Sequence, residues 1–139
     1  MRHPLHPALV HFPVACWSLA VAADFASLWL GEAAWRWSGG LLAVGCSTAL
    51  IAMLAGLVEL PLVPEGAPMR DAWMHMGAML AAFTLFLARL LLRLDHLRPV
   101  APDACSLLLD ACGFIALTIG GWFGGKLVYG HGIGRGRSG

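Results

Sequence analysis

The sequence predicts an all-α fold, an antiparallel bundle of four transmembrane helices, on three observations. Hydrophobic residues make up 59% of the 139 positions and charged residues only 12%, against roughly 45–50% and 25% in an ordinary soluble domain. The apolar residues gather in four blocks, 8–30, 41–60, 72–94 and 106–128. Each block is close to the ~20 residues a helix needs to cross a bilayer core. The connections, 31–40, 61–71 and 95–105, are too short for anything but antiparallel neighbours in an up-down-up-down bundle. A single domain, 1–139, follows.

Taken in order, the first block opens on HPALVHFP at 6–13, where Pro13 suits a first helical turn. Arg2, the apolar run and Ala20-Val21-Ala22 also have the outline of a cleaved signal peptide. The run continues through Phe25, Leu28, Trp29 and Leu30, past the length of a signal core, so retention as a membrane helix is expected. The second block carries Gly45-x3-Ala49 and Ala52-x3-Gly56 and is ended by Pro61 and Pro64. Met69, Met74, Met76 and Met79 surround His75 in the third, whose following loop holds Pro99 and Pro102. Gly120-x3-Gly124 and Gly121-x3-Gly125 mark the fourth, before a tail, 132–139, expected to be flexible. In lipid such small-residue faces let helices approach closely, within the bundle or between two copies in a homodimer.

Several function classes drop out. A net charge of +1 leaves no basic patch for nucleic acid. Cys16, Cys46, Cys105 and Cys112 form neither CxxC nor CxxCH, and read as small apolar residues. No serine lies in a GxSxG elbow. The paired glycines at 120–125 lack the strand that a phosphate loop requires.

Topology turns the chain's polar residues into a pattern. If helix one starts on side A, then helix two ends there, helix three starts there and helix four ends there. Side A therefore collects His3, His6, His11, Glu59, His75 and His131, with only His96 on side B. At ~1.5 Å per residue, His11, Glu59, His75 and His131 fall within a slab about two turns thick. Each comes from a different helix, as expected of a site inside the end of a bundle. Side A carries Arg2, Arg70, Lys126, Arg135 and Arg137 against Arg36, Arg89, Arg93 and Arg98 on side B. Five against four favours side A, with both termini, as the cytoplasmic face of a bacterial inner membrane.

HPALVHFP, with GGKLVYGHGIG at 124–134, resembles the bacterial membrane-protein family catalogued as domain of unknown function 2231. Asp24, GLVE at 56–59 and His75 fit the same pattern, so the likeness runs from His6 to Gly134. The resemblance implies a four-helix integral membrane protein. It also implies a link to electron transfer, because some relatives look like fusions to Rieske-type iron–sulfur domains. Residues 1–139 include no such domain, and Glu59 stands where aspartate is common in the family.

The function expected is membrane electron transfer through non-covalent haem b, a redox carrier or subunit rather than a stand-alone enzyme. Haem needs axial histidines on facing helices and an apolar slot. His75 is the leading ligand, with Ala78, Met79 and Ala82 one turn further in, and His11 is its partner. His131 and His6 are candidates for a second haem or for the propionates, which Lys126 and Arg70 would also suit. Glu59 would accept from a ligating imidazole and fix its tautomer. A quinone or redox protein would exchange the electron. Two alternatives stay open: a porphyrin-free transition-metal site on His11 and His75, and a structural or partner-binding membrane protein whose His/Glu cluster ligates nothing. Intramembrane Asp24 and Asp110 would be the suspects for transport, unless they sit at helix ends on side B, where Asp110, one turn from the start of helix four, is placed to pair with Arg89 or Arg93.

Overall fold

A computed structural model of the chain describes residues 9–95 and 98–133. Four long helices account for most of it: α1 (His11–Leu30), α2 (Ser38–Glu59), α3 (Ala67–Arg93) and α4 (Ala104–Gly125). A single helical turn, Glu32–Trp35, joins α1 to α2. α2 runs into a 3-10 turn, Leu60–Leu62, and α4 into a π-helical turn, Lys126–Gly130. The α3–α4 connection holds a two-residue antiparallel pairing, Leu94–Asp95 with Arg98–Pro99. All four helices are long and apolar enough to cross a membrane. The His6 motif residue and the tail from 134 onward lie outside the described residues.

Three helices start earlier than the apolar blocks suggest, α4 by two residues, at Ala104 rather than 106, and the others by more. α2 begins at Ser38 rather than 41, and α3 at Ala67 rather than 72. Pro68 does not prevent this, because a first turn leaves its N–H groups unbonded anyway. The Arg70 N–H closes that turn on the Gly66 carbonyl at 3.1 Å. Arg70 and Asp71, expected in a loop, are therefore helical. α1 ends at Gly31, whose φ of +63° falls where glycine is favoured. Asp103 starts α4 by accepting the Ser106 N–H at 2.8 Å.

Around buried Trp17, Leu42 and Phe86 much of the interior is alanine, and many large apolar side chains lie outside. Buried positions include Ala20, Ala49, Ala52, Ala72 and Ala82, whereas Phe12, Leu19, Trp29, Val58, Leu91, Leu108 and Trp122 are all more than half exposed. That inversion has a physical cause. Lipid is as apolar as leucine, so helices associate by close packing of small residues, not by hiding large ones. α1 pairs most extensively with α2, and α3 with α4. On α2, a Cβ at Gly45 would stand 2.6 Å from Trp17 Cδ1, so the indole lies directly on the glycine. Trp17 also stacks on Phe86, centroids 4.8 Å apart, which ties the α1–α2 hairpin to α3. Such pairs add about 0.5–1.5 kcal/mol beyond area burial. The Gly45-x3-Ala49 face and the Gly120-x3-Gly124 face thus pack within the bundle, on Trp17 and on Met79 and His75. Gly121 and Gly125 meet nothing within 4 Å.

Candidate functional site

Each end of the bundle carries a polar cluster. On side A the organising group is Asp71, buried in the second turn of α3. His131 Nε2 donates to its Oδ2 at 2.9 Å, and Lys126 Nζ lies 3.0 Å from the same oxygen. The π-helical turn makes this possible. It spaces Lys126 and His131 five residues apart, closed by the His131 N–H on the Lys126 carbonyl at 3.0 Å. Short π segments of this kind occur often at functional positions.

One turn further along α3, on the same face as Asp71, His75 Nδ1 sits 2.8 Å from the Gly120 carbonyl. A carbonyl can only accept, so Nδ1 carries the hydrogen and, in the neutral ring, Nε2 carries the lone pair. Gly124 makes room for the ring: a Cβ there would stand 3.1 Å from His75 Cε1 and Nδ1. Glu59 is half-buried at the end of α2, and His11 is exposed at the start of α1. Among the described residues no three His, Cys, Asp or Glu side chains gather as a metal-binding group.

On side B a fully buried ionic network joins all four helices. Arg89 Nη2 donates to Asp24 Oδ2 at 2.6 Å, and Arg89 Nε to Asp110 Oδ2 at 3.3 Å. Arg93 Nη1 donates to the Ser38 hydroxyl at 2.5 Å and lies 3.6 Å from Asp24 Oδ1. Its Nη2 donates to the Trp35 carbonyl, and its guanidinium stands over the Trp35 ring, 5.1 Å from the centroid. Charges so placed in a membrane helix are tolerated only when paired inside the protein. The Asp110–Arg89 pair is one the sequence allows for; the pairs of Asp24 with Arg89 and Arg93 are not.

A family profile described as "predicted membrane protein (DUF2231)" matches residues 2–137. The chain belongs to the DUF2231 family. Searches of curated proteins and of solved structures returned no significant match.

Of the DUF2231 residues singled out from sequence, His131 and Lys126 come together on Asp71, with His75 one turn away. His11 and Glu59 occupy the same end of the bundle. His6 lies outside the described residues. Asp71 was missed because Gly66, Pro68 and Arg70 before it read as loop. A signal was present: Asp71 and His75 are four apart, the spacing that aligns side chains on one helix face. Arg89 and Arg93 share that spacing.

Proposed function

We propose that this DUF2231 protein is a bacterial inner-membrane electron carrier that holds a non-covalent haem b at the side-A end of the bundle. His75 and His11 would hold it. The observation that carries the reading is the bond from His75 Nδ1–H to the Gly120 carbonyl. Histidines that ligate a metal generally donate their other ring N–H to a carbonyl or carboxylate, which fixes tautomer and ring orientation. That assignment moves the tautomer-fixing role from Glu59 to a backbone carbonyl of α4. His131 and Lys126 are held by Asp71, and Lys126, its side chain 42% exposed, would suit an anionic propionate. His6 is retained as a candidate for a second ligand set. The haem would supply one-electron chemistry. The chain's own residues would orient the ligating ring and keep water from it, and a quinone or a redox protein would be the electron partner.

Orientation has support too. Arg89 and Arg93 are buried among carboxylates and do not act as loop charges. Setting them aside leaves Arg36 and Arg98 on side B against five basic residues on side A, which favours side A as cytoplasmic.

The test is the dithionite-reduced minus oxidised visible spectrum of protein purified in mild detergent from haem-supplemented cells. Sharp α and Soret bands that disappear in His75→Ala, with helical content unchanged, are expected; a colourless wild type sinks the reading. The Asp71 interactions favour a second reading, a structural or partner-binding protein whose side-A cluster ligates nothing. Under it, wild type is colourless and Asp71→Asn loosens residues 126–133, seen as faster proteolysis after Lys126.

A further inference from the structure

The side-B network contains an imbalance that structural pairing leaves unexplained. Asp24 takes the short bond from Arg89 and also faces Arg93. Asp110 receives one long bond, 3.3 Å from Arg89 Nε, and is 0% exposed. Its Oδ1 is buried with no hydrogen-bond partner among the described residues, and so is Asp24 Oδ1. The two carboxyls share one guanidinium, Asp24 Oδ2 on Arg89 Nη2 and Asp110 Oδ2 on the adjacent Nε, which brings them to close quarters. A carboxylate buried in a membrane bundle with one long bond is poorly compensated, and two carboxyls at close quarters readily hold one proton between them.

A cleft opens on side B one helical turn from Asp110. Asp110 lies about 9 Å along α4 from Ala104. One turn before it, on the same helix face, the buried Ser106 lines a side-B cleft together with Leu92, Val100, Ala101, Asp103 and Cys105. Asp103 stands at the mouth and accepts the Ser106 N–H.

We propose that Asp110 is a proton-binding site, with Asp24 as its hydrogen-bonding partner, loaded from the side-B aqueous phase through the cleft at Asp103 and Ser106. The ligand is a proton: an O–H bond of a hydronium ion on side B breaks as the O–H bond on Asp110 Oδ1 forms, and a water molecule is left behind. The groups facing it are Asp24 from α1, Arg89 and Arg93 from α3, the Ser38 hydroxyl from α2, and Asp103 at the mouth. When all four charges are ionised the network is neutral. Protonation of Asp110 leaves Asp24 between the two guanidiniums, while Arg93 keeps the neutral acceptors Ser38 and Trp35. The site shares no residue with the haem reading and stands or falls without it.

Infrared difference spectroscopy of the full chain in lipid vesicles, stepped in pH, tests it. Wild type should show a protonated-carboxyl C=O band that grows as pH falls, shifts in D2O, and shifts again when aspartate is 13C-labelled at the side-chain carboxyl. Asp110→Asn should abolish the band. Asp110→Glu, which keeps a carboxyl at the position, should leave a band that no longer responds to the aspartate label. Absence of the band in wild type at every pH where the bundle is folded overturns the proposal. So does a band that survives unchanged in Asp110→Asn or that keeps its aspartate-label shift in Asp110→Glu.

Discussion

At the scale of single residues, what the chain reveals depends on whether a side chain's partner is local. Asp103 precedes the fourth apolar run by a short step, and its bond to Ser106 closes within one turn. Bonds from the Ser106 hydroxyl and backbone N–H hold its carboxyl below the usual carboxylate range. A carboxyl lowered in the folded state stabilises fully above its unfolded value, about 3.9, and loses that contribution as pH falls through the folded value. Asp103→Ala should therefore lower the melting temperature in detergent at neutral pH. Asp103→Asn should keep the cap while removing this part of the acid sensitivity, as melts across an acid series would show. Asp71 is the opposite case. Its partners Lys126 and His131 are 55 and 60 residues away, so the chain around it offers only the four-residue spacing to His75 as a signal.

At the scale of helices, the length of the apolar blocks and the short connections located all four elements, but α2 and α3 start well outside those blocks. Polar and turn-forming residues, Ser38-Gly39-Gly40 and Ala67-Pro68-Met69-Arg70-Asp71, continue those helices toward the membrane surface. Composition separates lipid from water; helical hydrogen bonding extends beyond that boundary. Glycines show how rotation about the helix axis decides function in packing. Gly45 and Gly40 both lie in α2, yet a Cβ at Gly45 meets the rigid Trp17 indole while one at Gly40 meets nothing within 4 Å. Gly45→Ala should cost about 1–3 kcal/mol through overpacking. Gly40→Ala should be neutral or stabilise by about 0.5–1 kcal/mol, the usual gain of alanine over glycine in a helix. Paired thermal melts in one detergent would separate them, and equal shifts would mean that Trp17 does not rest on α2 as described.

At the scale of the whole molecule, the bundle is two helical hairpins joined by Trp17–Phe86 stacking and by the side-B ionic network. Arg89 is the network's centre, bonded to carboxylates from both α1 and α4. Removing one member of a buried ion pair strands the others, at a cost of about 3–5 kcal/mol. Arg89→Gln should destabilise by that order, read as loss of folded protein on mild heating. Asp24→Asn and Asp110→Asn added to it should recover part of the loss, because neutral amides need no counter-charge. A triple variant less stable than Arg89→Gln alone would refute the account of charge compensation.

Four spans and their alternation were legible in the chain. The reason is physical: a backbone in hydrocarbon must satisfy its own hydrogen bonds, so an apolar run of sufficient length becomes a helix whatever surrounds it. Short connections then leave only the antiparallel order. Which polar groups meet is decided later, by helix rotation. Gly45 against Trp17 and Gly120 and Gly124 against Met79 and His75 set that rotation, and with it the choice of Asp71 for Lys126 and His131 and of Arg89 for Asp24 and Asp110. These contacts join residues far apart in sequence, so they exist only once the helices have packed.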